Sequence, residues 1–125
     1  MRHQRHYTPA EANAALEWLR DELPRLRSAR DKLGDAEARA ALTEAAATNG
    51  GGMPGRVVGE GFVALQRGLS RLAELEIVLR DLDRGLVDFP AVREGREVYL
   101  CWEEGEDEVS FWHDPEAGHA GRQPL

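Results

Sequence analysis

Apolar residues recur every three or four positions through the first third of the chain, which is the spacing of one face of an α-helix. Thr8 can cap the first turn, Pro9 suits the first helical position, and Glu11 can complete a capping box. Pro24 removes one backbone hydrogen bond and predicts a kink near residues 20–24. The apolar positions are Ala12, Leu16, Leu19, Leu23, Leu26 and Leu33.

A second stripe with the same spacing lies between residues 60 and 75, at Phe62, Leu65, Leu69 and Leu72. Gly34-Asp35 interrupts the first stripe, and residues 36–47 are alanine-rich and helical by propensity. Four glycines and a proline in residues 48–55 favour a flexible loop. The two stripes predict an antiparallel helical hairpin over residues 8–75, packed at a shallow angle as in a coiled coil.

Short strands with turn residues between them replace the helical spacing after residue 76. Ile77-Val78 favours a short strand, because both side chains are β-branched. Glu94-Gly95 indicates a hairpin, and Gly105-Glu106 indicates a second, weaker one. If both loops have two residues, three strands align in rows. The rows are Val87–Trp102–Val109, Phe89–Leu100–Phe111 and Ala91–Val98–His113 on one face, with Asp88–Cys101–Ser110 and Pro90–Tyr99–Trp112 on the other.

The first set of rows is almost wholly apolar, so we expect that face to pack on the helices. Beyond His113, residues 114–125 show no periodicity. They form either a loose tail or, as we favour, a strap across the mixed face, where Tyr99 and Trp112 offer apolar surface. The fold class is therefore α+β in one domain, a helical hairpin over about 8–75 with an antiparallel β-meander and tail over about 77–125.

Composition and charge exclude several classes of function. The net charge of −7 makes nucleic acid an unfavourable partner, although the first thirty residues are rich in arginine. The N-terminus is polar, and no apolar run approaches the length of a membrane span. A single cysteine cannot form an internal disulfide. We therefore expect a cytoplasmic location and no contact with a membrane.

Several motifs together resemble the bacterial domain-of-unknown-function 2203 family, and the likeness spans nearly the whole chain. They are the stretch from Tyr7 to Asn13, the block from Asp81 to Ala91, Val98 to Trp102, Gly105 to Glu108, Phe111 to His113, and Ala120 to Leu125. The resemblance implies a small cytoplasmic prokaryotic protein with no assigned activity.

Candidate metal ligands are His113, Cys101 and His119, with Asp88 as a carboxylate neighbour. These residues offer the nitrogen, sulfur and oxygen donors that zinc accepts. The predicted register separates His113 from Cys101 and Asp88, and the spacing lacks a tight ligand motif. His3 and His6 lie in an N-terminus that we expect to be mobile, where they bind metal only adventitiously. No cofactor is therefore expected, and zinc or another divalent ion is the alternative.

Other candidates favour structural roles. Cys101 has only Asp88 as a nearby base, and a carboxylate raises a thiol pKa, which disfavours a nucleophile. Arg122 can form a tail-locking salt bridge to Asp88 or Glu106 or, alternatively, contact an acidic ligand. Tyr99 and Trp112 could add a binding surface. The acidic residues of a predicted solvated hairpin tip are Glu103, Glu104, Glu106, Asp107 and Glu108.

No pattern pairs a nucleophile with a base. The sequence therefore favours a noncatalytic interaction or regulatory domain, whose helical hairpin binds a protein partner or forms a homodimer. The alternative is a small metal-binding protein or metal-assisted enzyme centred on His113.

Overall fold

The computed structural model of the chain describes residues 1–45 and 53–125, with side chains for residues 1–34 and 59–125. It contains two compact units. One unit combines residues 1–21 with residues 71–125, and the other spans residues 22–70. The elements are helices α1 (Pro9–Ala45) and α2 (Met53–Glu74), strands β1 (Val78–Asp81), β2 (Leu86–Arg93), β3 (Arg96–Glu103), β4 (Phe111–His113) and β5 (Gln123–Pro124), and a 3-10 turn (His119–Gly121).

Helix α1 begins with the predicted capping box. The backbone N–H of Thr8 donates to Glu11 Oε1 at 2.9 Å, and the N–H of Glu11 donates to Thr8 Oγ1 at 3.1 Å. The interruption predicted at Gly34-Asp35 is not present in the backbone, since α1 continues through both residues to Ala45. A glycine costs only about 1 kcal/mol inside a helix, and the alanine-rich sequence after it favours continuation. The predicted kink near Pro24 stays a prediction.

The glycine-rich loop predicted for residues 48–55 falls partly outside the described residues, which omit residues 46–52. Its last part is helical, because α2 already begins at Met53. Pro54 fits there, since a proline in the first turn of a helix loses no intrahelical hydrogen bond.

Helix α2 packs through its glycines within the unit of residues 22–70. A Cβ atom added at Gly68 would lie 2.3 Å from Leu26 Cδ2, and one at Gly61 would lie 3.0 Å from the carbonyl oxygen of Ala29. The predicted packing stripe is therefore partly wrong: Phe62 and Leu69 are exposed. Leu72 of the predicted stripe is buried, so the buried face of α2 combines part of that stripe with the two glycines.

The five strands form one antiparallel sheet in the order β1-β2-β3-β4-β5. The predicted strand at Ile77-Val78 is present as β1. The first hairpin has the predicted register, with Arg93 opposite Arg96, because Glu94 and Gly95 both adopt the positive φ of a type I′ turn. This register sets Val87 against Trp102, Asp88 against Cys101, and Phe89 against Leu100.

The register predicted for the second hairpin is wrong by one residue. Tyr99 lies opposite His113, where the sequence predicted Val98. Cys101 lies opposite Phe111, where the sequence predicted Leu100. The connection is a longer loop held by one local and one distant contact. Its backbone accepts a hydrogen bond from Trp102 Nε1 to the carbonyl of Glu106 at 3.0 Å, and Val109 N–H donates to Asn13 Oδ1 at 2.7 Å. Because side chains alternate between faces, this shift moves His113 to the opposite side of the sheet.

The apolar face of the sheet forms a core with the first turns of α1. Trp102 and Phe89 are fully buried there, and the ring of Tyr7 contacts that of Phe89 edge to face, with centroids 5.2 Å apart. Trp112, predicted for the mixed face, lies in this row opposite Leu100 and is 7% exposed. The core therefore contains two tryptophans on one face, while Asp88, Cys101 and His113 share the other.

The C-terminal residues extend the sheet at its edge, which differs from the predicted strap across a face. In β5, Pro124 lies opposite Phe111, and the N–H of Leu125 donates to the carbonyl of Ser110 at 2.9 Å. Neither α1 nor α2, over their described residues, combines the length and hydropathy that a bilayer crossing requires.

Candidate functional site

Three chemically active side chains meet on the mixed face of the sheet. One oxygen of Asp88, the sulfur of Cys101 and one ring nitrogen of His113 all lie within 4.8 Å of one another. The side chains are 2%, 0% and 1% exposed, respectively. Neighbouring strands β2, β3 and β4 each supply one of them, so the sheet itself brings them together. The prediction that His113 faces away from the other two is wrong because of the shifted register.

The ring of His113 is held at both nitrogens. Its Nδ1 lies 2.8 Å from the backbone carbonyl oxygen of Asp114, and its Nε2 lies 3.0 Å from Asp88 Oδ2. A carbonyl oxygen only accepts hydrogen bonds, so Nδ1 carries a proton. Burial lowers the pKa of His113, but the bonds to Asp88 and to the Asp114 carbonyl outweigh it and raise the pKa above its usual value. Both ring nitrogens therefore face acceptor oxygens, and Nε2 donates to the carboxylate of Asp88.

Asp88 is bound through one oxygen only. Its Oδ2 accepts hydrogen bonds from His113 and, at 2.8 Å, from Arg80 Nε. Burial raises the pKa of Asp88, but these two donors outweigh it and lower the pKa below the ordinary value, so the carboxylate is ionised. The other oxygen, Oδ1, is buried and has no hydrogen-bond partner among the described residues. A buried carboxylate oxygen without a donor costs free energy, so this atom is an unfilled acceptor.

Cys101 is a neutral thiol that solvent does not reach. Burial, followed by the negative charge of Asp88, raises its pKa to about 12. The sequence analysis also predicted that the carboxylate of Asp88 raises the pKa of this thiol. The thiolate, rather than the thiol, is the nucleophile in cysteine chemistry. Cys101 therefore lacks both the charge state and the exposure that attack on a substrate requires.

Tyr99 joins this cluster to the N-terminal segment. Its ring centroid lies 5.6 Å from that of His113, and the guanidinium carbon of Arg80 lies 5.0 Å from the Tyr99 ring centre. Its hydroxyl lies 2.9 Å from His3 Nε2. Sequence reasoning missed Arg80, because nothing in its local sequence indicates that the strand pairing will set it beside Asp88.

The N-terminal segment is fixed by two glutamates, contrary to the expectation that it is mobile. Glu97 accepts hydrogen bonds from the N–H groups of Arg2 and His3 at 2.9 and 3.1 Å, and pairs with His6 Nε2 at 2.8 Å. Glu76 accepts from the N–H of Arg5 at 2.7 Å. These partners are 71–95 residues apart in the chain, so no local motif reveals them.

Acid is expected to release this segment. Burial raises the pKa of Glu97, but hydrogen bonds from His6, Arg2 and His3 outweigh it and lower the pKa from 4.5 to about 2. A carboxylate with a depressed folded-state pKa stabilises the fold above its unfolded pKa. That contribution is lost as the pH falls from about 4.5 through about 2. Hydrogen exchange should therefore show the amide of Arg2 or His3 losing protection in this window.

The variant Glu97→Gln gives the matched test of that release. It removes the charge at neutral pH and should lower protection of the same amides at pH 7 to the level that acid produces in the unmodified chain. Equal protection in Glu97→Gln and in the unmodified chain at pH 7 would show that Glu97 does not hold the segment.

Arg122 makes one of the two salt bridges predicted for it. Its Nη2 lies 2.7 and 2.8 Å from the two carboxylate oxygens of Glu106, and no bond to Asp88 is found among the described contacts. The guanidinium carbon lies 4.1 Å from the centre of the Phe111 ring. This combination anchors the C-terminal residues to the loop between β3 and β4.

The remaining sequence candidates lie apart from the cluster. His119 Nε2 is 3.3 Å from Glu103 Oε1, and His119 is not among the three clustered donors. Glu103 also accepts hydrogen bonds from Nε and Nη2 of Arg84, each 3.1 Å long, so the negative charge of the acidic tip is partly neutralised. Trp112 belongs to the apolar core, which removes it from any binding surface on the mixed face.

Comparison with known proteins identifies a family without identifying an activity. The model of a family described as an uncharacterized conserved protein (DUF2203) matches residues 5–125. No curated protein and no solved structure is significantly similar to the chain.

Proposed function

The chain belongs to the DUF2203 family, and we propose that it is a noncatalytic domain that pairs with a second copy of itself through α2. The observation that carries the proposal is an uncharged apolar stripe on α2. Phe62 is 57% exposed and Leu69 is 43% exposed. Burying apolar surface is the main source of free energy in association, so this stripe is a natural contact surface.

The noncatalytic part of the proposal is supported by the state of the buried cluster. Asp88, Cys101 and His113 are each 2% exposed or less, so a substrate cannot reach them without local opening of the sheet. The thiol is neutral, and the ring of His113 is already bound at both nitrogens. A general base or nucleophile needs a free site facing its substrate, which these residues do not offer.

The choice of a second copy as the partner follows from the symmetry and charge of the stripe. Phe62 and Leu69 are seven residues, or about two helical turns, apart on one face. An antiparallel twofold pair of α2 helices sets Phe62 of one copy against Leu69 of the other, with Gln66 near the axis. The stripe carries no charge, so the contact sets no like charges against each other although each chain has a net charge of −7.

Light scattering coupled to size-exclusion chromatography tests the proposal. The chain should show a concentration-dependent mass approaching twice that of the monomer. Leu69→Glu should weaken the pairing by at least about tenfold, because an unpaired carboxylate would have to be buried at the contact.

Ala64→Glu is the matched control. Ala64 is exposed, as Leu69 is, and lies on the same helix about 140° around its axis from Leu69. It should leave the mass unchanged. A monomer at every concentration, or equal weakening by both substitutions, would contradict pairing through this stripe.

A further inference from the structure

We infer that Asp88, Cys101 and His113 form a binding site for one divalent metal ion of the zinc class. The site shares no residue with the stripe on α2, so metal binding and pairing are tested independently. Four properties of the cluster support it: the type and spacing of the donors, the unfilled oxygen of Asp88, the orientation of His113, and the charge balance.

The donor set and its spacing suit zinc. The sulfur, the imidazole nitrogen and the carboxylate oxygen lie within 4.8 Å of one another. Zinc bonds of about 2.0–2.3 Å in tetrahedral geometry place ligand atoms about 3.3–3.8 Å apart. Side-chain movement of about 1 Å therefore brings all three into ligand distance. A thiolate with an imidazole favours zinc over the hard ions magnesium and calcium.

The unpartnered oxygen of Asp88 points to a missing ligand. Asp88 is 2% exposed, and its Oδ1 has no hydrogen-bond donor among the described residues, whereas Oδ2 already accepts from Arg80 and His113. Buried polar atoms are nearly always satisfied in native proteins. A metal ion bound at Oδ1 satisfies this oxygen while Arg80 continues to orient the carboxylate through Oδ2.

His113 is oriented as metal-binding histidines are. Ligand histidines usually donate their second ring N–H to a backbone carbonyl or carboxylate, which fixes the tautomer and the ring plane. Here Nδ1 donates to the carbonyl of Asp114 at 2.8 Å. The other nitrogen, Nε2, is the one directed at Asp88 and is therefore the nitrogen that binds the ion.

Charge balance makes the bound state acceptable in a buried site. On binding, the thiol of Cys101 and Nε2 of His113 each release a proton to solvent, leaving a thiolate and a neutral imidazole. Two protons leave as the divalent ion enters, so the net charge of the cluster, including the guanidinium of Arg80 bound to Asp88, is unchanged.

Metal titration of the full chain, purified without a histidine tag and stripped by a chelator, tests the inference. Calorimetry with Zn²⁺ should show one ion per chain. With Cd²⁺, an ultraviolet thiolate-to-metal charge-transfer band should appear in the same stoichiometry. Cys101→Ala should remove the band and weaken Zn²⁺ binding by at least about 100-fold, because a direct ligand is lost.

His119→Ala is the matched control, because His119 lies outside the cluster and should leave both readouts unchanged. If Cys101→Ala does not fold, Co²⁺ binding to the unmodified chain still decides the question, since a bound cobalt ion must show a thiolate-to-cobalt band. Absence of stoichiometric binding, binding without that band, or binding abolished by His3→Ala or His6→Ala instead would each overturn the inference.

Discussion

Replacing Trp102 by alanine is expected to lower the free energy of unfolding by about 3–5 kcal/mol. Trp102 is fully buried and is the first in volume among the completely buried side chains of the described residues. Its removal leaves a cavity and also strips the carbonyl of Glu106 of the hydrogen bond from the indole N–H, which is 3.0 Å long. Urea denaturation followed by far-ultraviolet circular dichroism measures the change, with the denaturant slope checked for constancy.

Trp18→Ala is the matched control, because Trp18 is another tryptophan, lies on α1 and is only half-buried. Its loss should be clearly smaller than that of Trp102. A loss below about 1 kcal/mol for Trp102→Ala would mean that Trp102 does not fill the core. It would also mean that the indole N–H of Trp102 does not hold the loop between β3 and β4 in place.

Replacing Asp88 by alanine is expected to cost about 3–5 kcal/mol in the presence of a chelator, because Asp88 is buried and its loss leaves the buried ring of His113 without its acceptor. His113 and Arg80 both donate to the same oxygen of Asp88, so both lose their acceptor at once. The same denaturation experiment, performed with a chelator present, separates this structural loss from any contribution of a bound ion.

Glu103→Ala supplies the comparison for Asp88. Glu103 also pairs with an arginine, Arg84, but both side chains are partly exposed to solvent. Salt bridges of that kind contribute about 0–1 kcal/mol. If the two substitutions cost the same, Asp88 does not belong to a buried charged cluster.

The first hairpin was predictable because its register depends on two adjacent residues. Glu94 and Gly95 adopt φ values of 53° and 78°, as a type I′ turn requires. A two-residue turn of this type fixes the register of the flanking strands. The loop of the second hairpin is held by local bonds within residues 102–106 and also by Asn13, which is 96 residues away from its partner Val109. A local pattern contains no information about such a contact, so the sequence placed His113 on the wrong face.

The helices show the same division between local and distant causes. The capping box at Thr8 and Glu11 involves residues three positions apart and was correctly predicted. The buried face of α2 was predicted wrongly in part. A hydrophobic pattern places Phe62 and Leu69 on the buried face, whereas Gly61 and Gly68 make the close contacts in the structure. A glycine has no side chain, so a hydrophobic pattern cannot show that it makes the contact.

For the candidate site, the sequence indicated the residue types without their arrangement. Cys101, His113 and Asp88 were recognised as donors, and the pairing of Asp88 with Cys101 followed from the first hairpin. His113 on β4 and Arg80 on β1 bind the same carboxylate only because their strands join the same sheet as β2. The glutamates that hold the N-terminal segment, Glu76 and Glu97, had no sequence signal at all.

The central claim is that β3 and β4 pair so that His113 shares a face with Cys101 and Asp88. Nuclear Overhauser contacts between backbone protons of the two strands in solution measure this pairing directly. Cross-strand contacts of Tyr99 with His113 and of Cys101 with Phe111 are the predicted result. Contacts of Val98 with His113 and of Leu100 with Phe111 would contradict it, because they would return His113 to the opposite face.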